Sequence, residues 1–104
     1  MKRVKRRYLA VQLEVEGLPR EREFMDALWA SVTKLYGEVG ASLSGLVLIN
    51  FDGERKIFVI RTLLVSLPMV RASLAAVTVM AGKPAAVHVL AVSGTLKALY
   101  SNVG

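Results

Sequence analysis

The chain has 104 residues, enough for one domain around a single core, with a formal net charge of +6 and a hydrophobic content of 54%. It contains no cysteine and one histidine, which excludes disulfides, thiolate zinc sites, a thiol nucleophile and a histidine-rich metal cluster. Five of the fourteen Lys and Arg (Lys2, Arg3, Lys5, Arg6, Arg7) fall in the first seven residues, leaving nine to face eight Asp and Glu.

Nearly all of the net charge therefore belongs to a basic arm at residues 1–7. Charge this concentrated makes a local field suited to a phosphate backbone or an acidic membrane surface; the bland alternative is a solvated terminus. The arm runs into alternating residues instead of a continuous apolar stretch, so no signal peptide is expected and the predicted setting is intracellular, in the cytoplasm.

A first strand is predicted over about Arg7–Glu16. Leu9, Val11, Leu13 and Val15 share one face, and Tyr8, Ala10, Gln12, Glu14 and Glu16 share the other. Gly17-Leu18-Pro19 ends it. A helix follows from about Arg20, with Phe24, Leu28, Val32 and Leu35 at helical spacing and Gly37 as its stop. A second seam, Met25, Trp29 and Tyr36, widens its apolar arc and is either core or a docking surface.

Leu46–Phe51 and Lys56–Arg61 are β-rich runs joined through Asp52-Gly53, a dipeptide suited to the positive φ angles of a tight hairpin. A second helix is predicted from Ser66 to Gly82, with Pro68 in its first turn. Leu67, Val70, Leu74 and Val77 form its inner stripe; Met69, Ala72, Ala76, Val79 and Met80 make its other side apolar as well. Thr62 to Gly82 carries only Arg71 as a charge, but Pro68 and Arg71 leave an uncharged run from Ala72 to Gly82, far short of the roughly 20 residues of a membrane span.

A last strand, Ala85–Val92, leads through Ser93-Gly94-Thr95 to a short helix carrying Leu96, Leu99, Tyr100 and Val103, capped by Ser93 or Thr95. The order is βαββαβ plus a terminal helix. This predicts an α+β, ferredoxin-like (RRM-like) sandwich: a four-stranded antiparallel sheet, two helices on one face, and the short C-terminal helix over part of the other. The whole chain, 1–104, forms one such domain.

Catalytic chemistry is not indicated. The carboxylates (Glu14, Glu16, Glu21, Glu23, Glu38, Asp52, Glu54) lie at strand ends, in a helix first turn or beside the hairpin, where solvated surface is the simpler reading. His88 reads as a packed or hydrogen-bonded strand residue, and Ser93 has no triad available. Ser93-Gly94-Thr95 either presents backbone N–H groups to a phosphate or is an ordinary turn and cap. The third strand lacks the aromatic pair and glycine of RRM base stacking. Nucleic-acid contact is therefore expected through phosphates, by the arm together with Arg55, Lys56, Arg61, Lys83 and Lys97. The high apolar content predicts surface covered by a partner, with Met25, Trp29, Tyr36, Met69, Val79 and Met80 as the candidates.

Arg6-Arg7-Tyr8-Leu9, Leu35-Tyr36-Gly37-Glu38-Val39-Gly40, Ile57-Phe58-Val59-Ile60-Arg61, Val70-Arg71-Ala72-Ser73-Leu74 and the closing Val89–Lys97 stretch resemble, in order, the archaeal ribonuclease P protein component 2 family of Pop-five and Rpp-fourteen type. The chain departs from the family pattern at Leu63-Leu64, where relatives carry another basic residue, and at Tyr36, where they carry Phe. The resemblance implies a non-catalytic subunit of ribonuclease P, the ribonucleoprotein that removes the 5′ leader from precursor tRNA, with Mg²⁺ used by the RNA and no cofactor bound by the protein. The implied partners are ribonuclease P RNA, protein component 3 (a TIM-barrel subunit) and precursor tRNA within the complex, together with self-association. The alternative is a small-molecule-binding or regulatory ferredoxin-like domain that dimerises through its apolar helices.

Overall fold

The computed structural model describes residues 5–103. Its elements are β1 (Arg6–Val15), α1 (Glu21–Leu43), β2 (Val47–Asp52), β3 (Ile57–Leu63), a 3₁₀ turn (Leu64–Ser66), α2 (Leu67–Ala75), β4 (Val79–Met80), β5 (Lys83–Ser93) and α3 (Leu96–Val103). The strands form one antiparallel sheet in the order β2-β3-β1-β5-β4, so the sheet has five strands where the sequence predicted four.

The two faces of β1 separate as its alternation predicts. Leu9, Val11 and Leu13 join Phe58 and Ile60 of β3, Phe24, Leu28 and Val32 of α1, and Val70 and Leu74 of α2 in the main core. Burying each such side chain contributes about 1.5–3 kcal/mol, so this layer supplies most of the drive for folding. On the opposite face Ala10, Val59 and the fully buried Leu99 form a smaller cluster, joined by Tyr8, Ile49, Ala91, Leu96 and Val103. The terminal helix thus covers part of that face, as expected.

α1 starts where Glu23 accepts the Arg20 N–H at 3.1 Å, satisfying a backbone donor in the manner of a capping box. Gly37 does interrupt the helix, with φ 79° and ψ 171°, but helical turns resume after it and run to Leu43. Leu35, assigned to the inner seam, is about half exposed.

The region predicted as the second half of helix two folds otherwise. α2 stops at Ala75, and the β-branched run Val77-Thr78-Val79 leads into β4, which pairs back on β5 with Val79 opposite Pro84 and Met80 opposite Lys83. The two residues between, Ala81 (φ 51°) and Gly82 (φ 78°), form a tight hairpin turn with both φ values positive. This is the geometry the sequence assigned to Asp52-Gly53. The β2–β3 connection is instead a four-residue loop, Gly53–Lys56, in which Asp52 Oδ1 accepts the Arg55 N–H at 3.2 Å and Lys56 takes the positive φ. A carboxylate that closes its own turn makes the glycine's freedom unnecessary there.

Candidate nucleic-acid interface

The register of β1 decides which cations meet. Its N-terminal end pairs with the C-terminal ends of β3 and β5: Arg6 faces Leu63, Arg7 faces Thr62, and Tyr8 lies between Arg61 and Ser93. The backbone is already fastened at Lys5, whose carbonyl accepts the Leu64 N–H at 2.9 Å. Arg7 Nη1 donates to the Arg6 carbonyl at 2.9 Å and packs beside Gly94, where an added Cβ would lie 3.5 Å from it. Lys97 follows in the first turn of α3. Lys5, Arg6, Arg7, Arg61 and Lys97 thus collect at one end of the sheet. Arg61 also keeps a buried Nε that makes no hydrogen bond, an unsatisfied cationic donor.

The remaining predicted cations lie at the other end, about 30 Å away along β1 at roughly 3.3 Å per residue. Lys56 Nζ donates to the Val15 carbonyl and Lys83 Nζ to the Glu16 carbonyl at 3.5 Å. The Arg55 carbonyl accepts from Gln12 Nε2 at 2.6 Å. These groups fasten strand ends, and they stand among Glu14, Glu16, Asp52 and Glu54. Of the eight Asp and Glu, only Glu38 lies outside the C-terminal end of β1, the first turns of α1 and the hairpin.

The structure therefore does not gather the predicted RNA-binding residues on one surface. It divides them into a carboxylate-poor end, with Lys5, Arg6, Arg7, Arg61 and Lys97, and a mixed end, with Arg55, Lys56 and Lys83. Lys2 and Arg3 lie outside the described residues. Among the described residues the Lys and Arg ion pair is Arg22–Asp26 at 3.7 Å, and His88 Nε2 hydrogen-bonds with Glu14 Oε2 at 3.0 Å; neither contact involves the cationic end. His88 is thus a hydrogen-bonded strand residue. The Ser93-Gly94-Thr95 segment uses its own groups: Ser93 Oγ accepts the Thr95 N–H at 3.4 Å, and Thr95 Oγ1 caps α3 by accepting the Ala98 N–H at 3.2 Å. Of its two readings, the turn and cap is realised.

The predicted partner residues also divide. Tyr36 and Val79 are exposed; Met25, Trp29 and Met69 are half-buried against the main core. Met80 is a correction: at 3% exposure it belongs to the core, because the β4 hairpin turns its side chain inward where a continued helix would have turned it out. Sequence periodicity missed Val39, Leu43 and Val65, which are exposed because the kink at Gly37 and the 3₁₀ turn change the faces they occupy.

The model of the Rpp14/Pop5 family matches residues 7–103. The chain belongs to the Rpp14/Pop5 family. Among curated family members it is 36% identical over 95 residues to ribonuclease P protein component 2 of Methanosarcina mazei, covering 91% of this chain and 80% of the relative. To the protein of the same name from Pyrococcus horikoshii it is 31% identical over 97 residues, covering 93% and 81%. Its fold is similar to that of a chain in the cryo-EM structure of yeast ribonuclease MRP, with a TM-score of 0.75 at 14% identity over 92% of this chain and 79% of that one. Among the described residues no helix is long and apolar enough to cross a membrane, and no group of three or more His, Asp or Glu could hold a metal ion.

Proposed function

We propose that this Rpp14/Pop5 chain works as a protein subunit of ribonuclease P, removing the 5′ leader of precursor tRNA as part of a complex whose chemistry belongs to an RNA using Mg²⁺. The observation that carries the reading is the cationic sheet end, where Arg6, Arg7, Arg61 and Lys97 collect with no carboxylate partner among the described residues. Such a cluster neutralises backbone phosphates, and it recognises shape and charge in place of base sequence. The sheet face that stacks bases in an RRM is occupied by Leu96, Leu99 and Val103 of α3. The order of the four long strands, β2-β3-β1-β5, supports the ferredoxin-like description of the fold.

In this role the protein breaks no bond itself. It lowers the repulsion between RNA segments and so reduces the Mg²⁺ needed to hold the active form, while its exposed apolar residues dock protein component 3. The metabolite-binding alternative gains no support from these clefts among the described residues: about 260 Å³ beside Pro84–Ala86, about 240 Å³ between α1 and β4, and about 100 Å³ under α3. All three fall below the roughly 300–1,000 Å³ of small-molecule sites.

Reconstitution tests the reading. The RNA subunit, with and without this chain and protein component 3, is assayed for 5′-leader removal at limiting Mg²⁺. The expected result is cleavage at Mg²⁺ concentrations where RNA alone is inactive. Equal cleavage with and without the chain overturns the proposal, and cleavage by the chain without RNA overturns its non-catalytic role.

A further inference from the structure

The last turn of α3 passes the end of the β2–β3 hairpin without closing on it, which leaves a cleft of about 100 Å³. Its floor is the apolar sheet face, formed by Ala10, Ile57 and Val59, all buried. The ring of Tyr100, 43% exposed, makes one wall. The space is on the scale of one planar ring: a closed cavity of about 150 Å³ holds a benzene, and this one is open at its mouth.

The polar groups at the mouth are only partly spent. Asn50 Oδ1 accepts the Phe51 N–H at 2.9 Å, and Asn50 Nδ2 donates to the Tyr100 hydroxyl at 3.4 Å, which leaves its second amide hydrogen free among the described residues. Asp52 Oδ1 accepts the Arg55 N–H at 3.2 Å, and Oδ2 has no partner among the described residues. The Asp52 carboxylate and the Arg55 guanidinium together leave the mouth without net charge. An amide donor beside a carboxylate acceptor, over an apolar floor and next to an aromatic ring, suits an uncharged planar ring with an acceptor nitrogen beside an amino group.

We propose that the cleft beneath α3 receives one unpaired adenine or cytosine of the RNA. Asn50 donates to the ring nitrogen, Asp52 accepts from the amino group, and Tyr100 packs against the face of the base. Uracil and guanine carry an N–H at that ring position, which sets donor against donor. The inference rests on the ribonuclease P reading and deepens it: the cationic sheet end takes phosphates without regard to sequence, and the cleft adds one contact that depends on the base. Unstacked bases of loops and bulges are the usual targets of such contacts.

The test is dimethyl sulfate probing of ribonuclease P RNA, since this reagent methylates the ring nitrogens of unpaired adenine and cytosine that Asn50 would cover. The chain together with protein component 3, compared with component 3 alone, is expected to protect one such base. Asn50→Ala and Tyr100→Ala, both at exposed side chains, are expected to lose that protection and to weaken RNA binding at least about fivefold, with circular dichroism unchanged. The salt slope of binding should stay the same, because neither variant removes a charge. Tyr100→Phe keeps the ring and is expected to keep the protection. A chain that binds the RNA and supports cleavage yet protects no unpaired adenine or cytosine overturns this proposal alone, as does protection that survives both alanine variants. A chain that neither binds the RNA nor lowers its Mg²⁺ requirement overturns the ribonuclease P reading as well.

Discussion

Phe24 of α1 lies on Phe58 of β3 with ring centroids 3.9 Å apart and planes 15° from parallel, and Phe51 of β2 stacks on Phe58 at 4.5 Å. One ring thus ties the first helix to two strands in the centre of the main core. Phe58→Ala should destabilise the chain by about 3–5 kcal/mol, the cost of an uncollapsed aromatic cavity. A denaturant titration followed by circular dichroism checks this. A loss below about 1 kcal/mol would mean that the core closes over the gap.

The division of cations between the two sheet ends gives a paired prediction for RNA affinity. Replacing Arg6, Arg7 and Lys97 with Gln should reduce the slope of log affinity against log salt by roughly 0.7–0.9 for each phosphate no longer neutralised. Replacing Arg55 and Lys83 should change it little, since both sit among carboxylates. Filter binding to ribonuclease P RNA over a salt series measures both. An equal flattening of the slope by the two sets would contradict the division.

Ala81 occupies the left-handed region at φ 51°, beside Gly82 at φ 78°, in the two-residue turn between β4 and β5. A Cβ in that region costs about 1–2 kcal/mol, and Asn tolerates it better than Ala. Ala81→Asn creates the Asn-Gly pair that such turns favour, so it should raise stability by about 0.5–1 kcal/mol. Thermal melts of the two proteins provide the comparison, with an upward shift expected.

Leu99 is fully buried between α3 and the sheet, in a cluster separate from the main core. Leu99→Ala should cost about 2–5 kcal/mol, concentrated in the docking of α3. Hydrogen exchange should quicken across residues 96–103 well before the β1–β3 ladder opens. Uniform loss of protection would show that the two clusters unfold together.

Much of the fold could be read from the sequence because its strongest signals were local. The alternation in β1, the Phe24-Leu28-Val32 spacing and the Leu96-Leu99-Val103 spacing each name a buried face, and the structure buries all three. The failures came where two periodicities overlap. Val77 continues the helical spacing of Val70 and Leu74, yet the β-branched residues around it extend the chain. The helix stop expected at Gly37 is a kink inside α1, because nothing local says whether a helix resumes beyond an interruption. The candidate site was half legible. Its residue types were visible, but the separation of Arg7 and Arg61 from Arg55 and Lys83 depends on strand register, which long-range pairing sets.

The uneven placement of charge has a consequence for how the molecule arrives at its target. With cations gathered at the start of β1 and carboxylates toward its finish, the protein carries a permanent electric dipole along the strand. A polyanion's field turns such a body as it approaches, before any surfaces touch, so that most encounters begin arginine-end first.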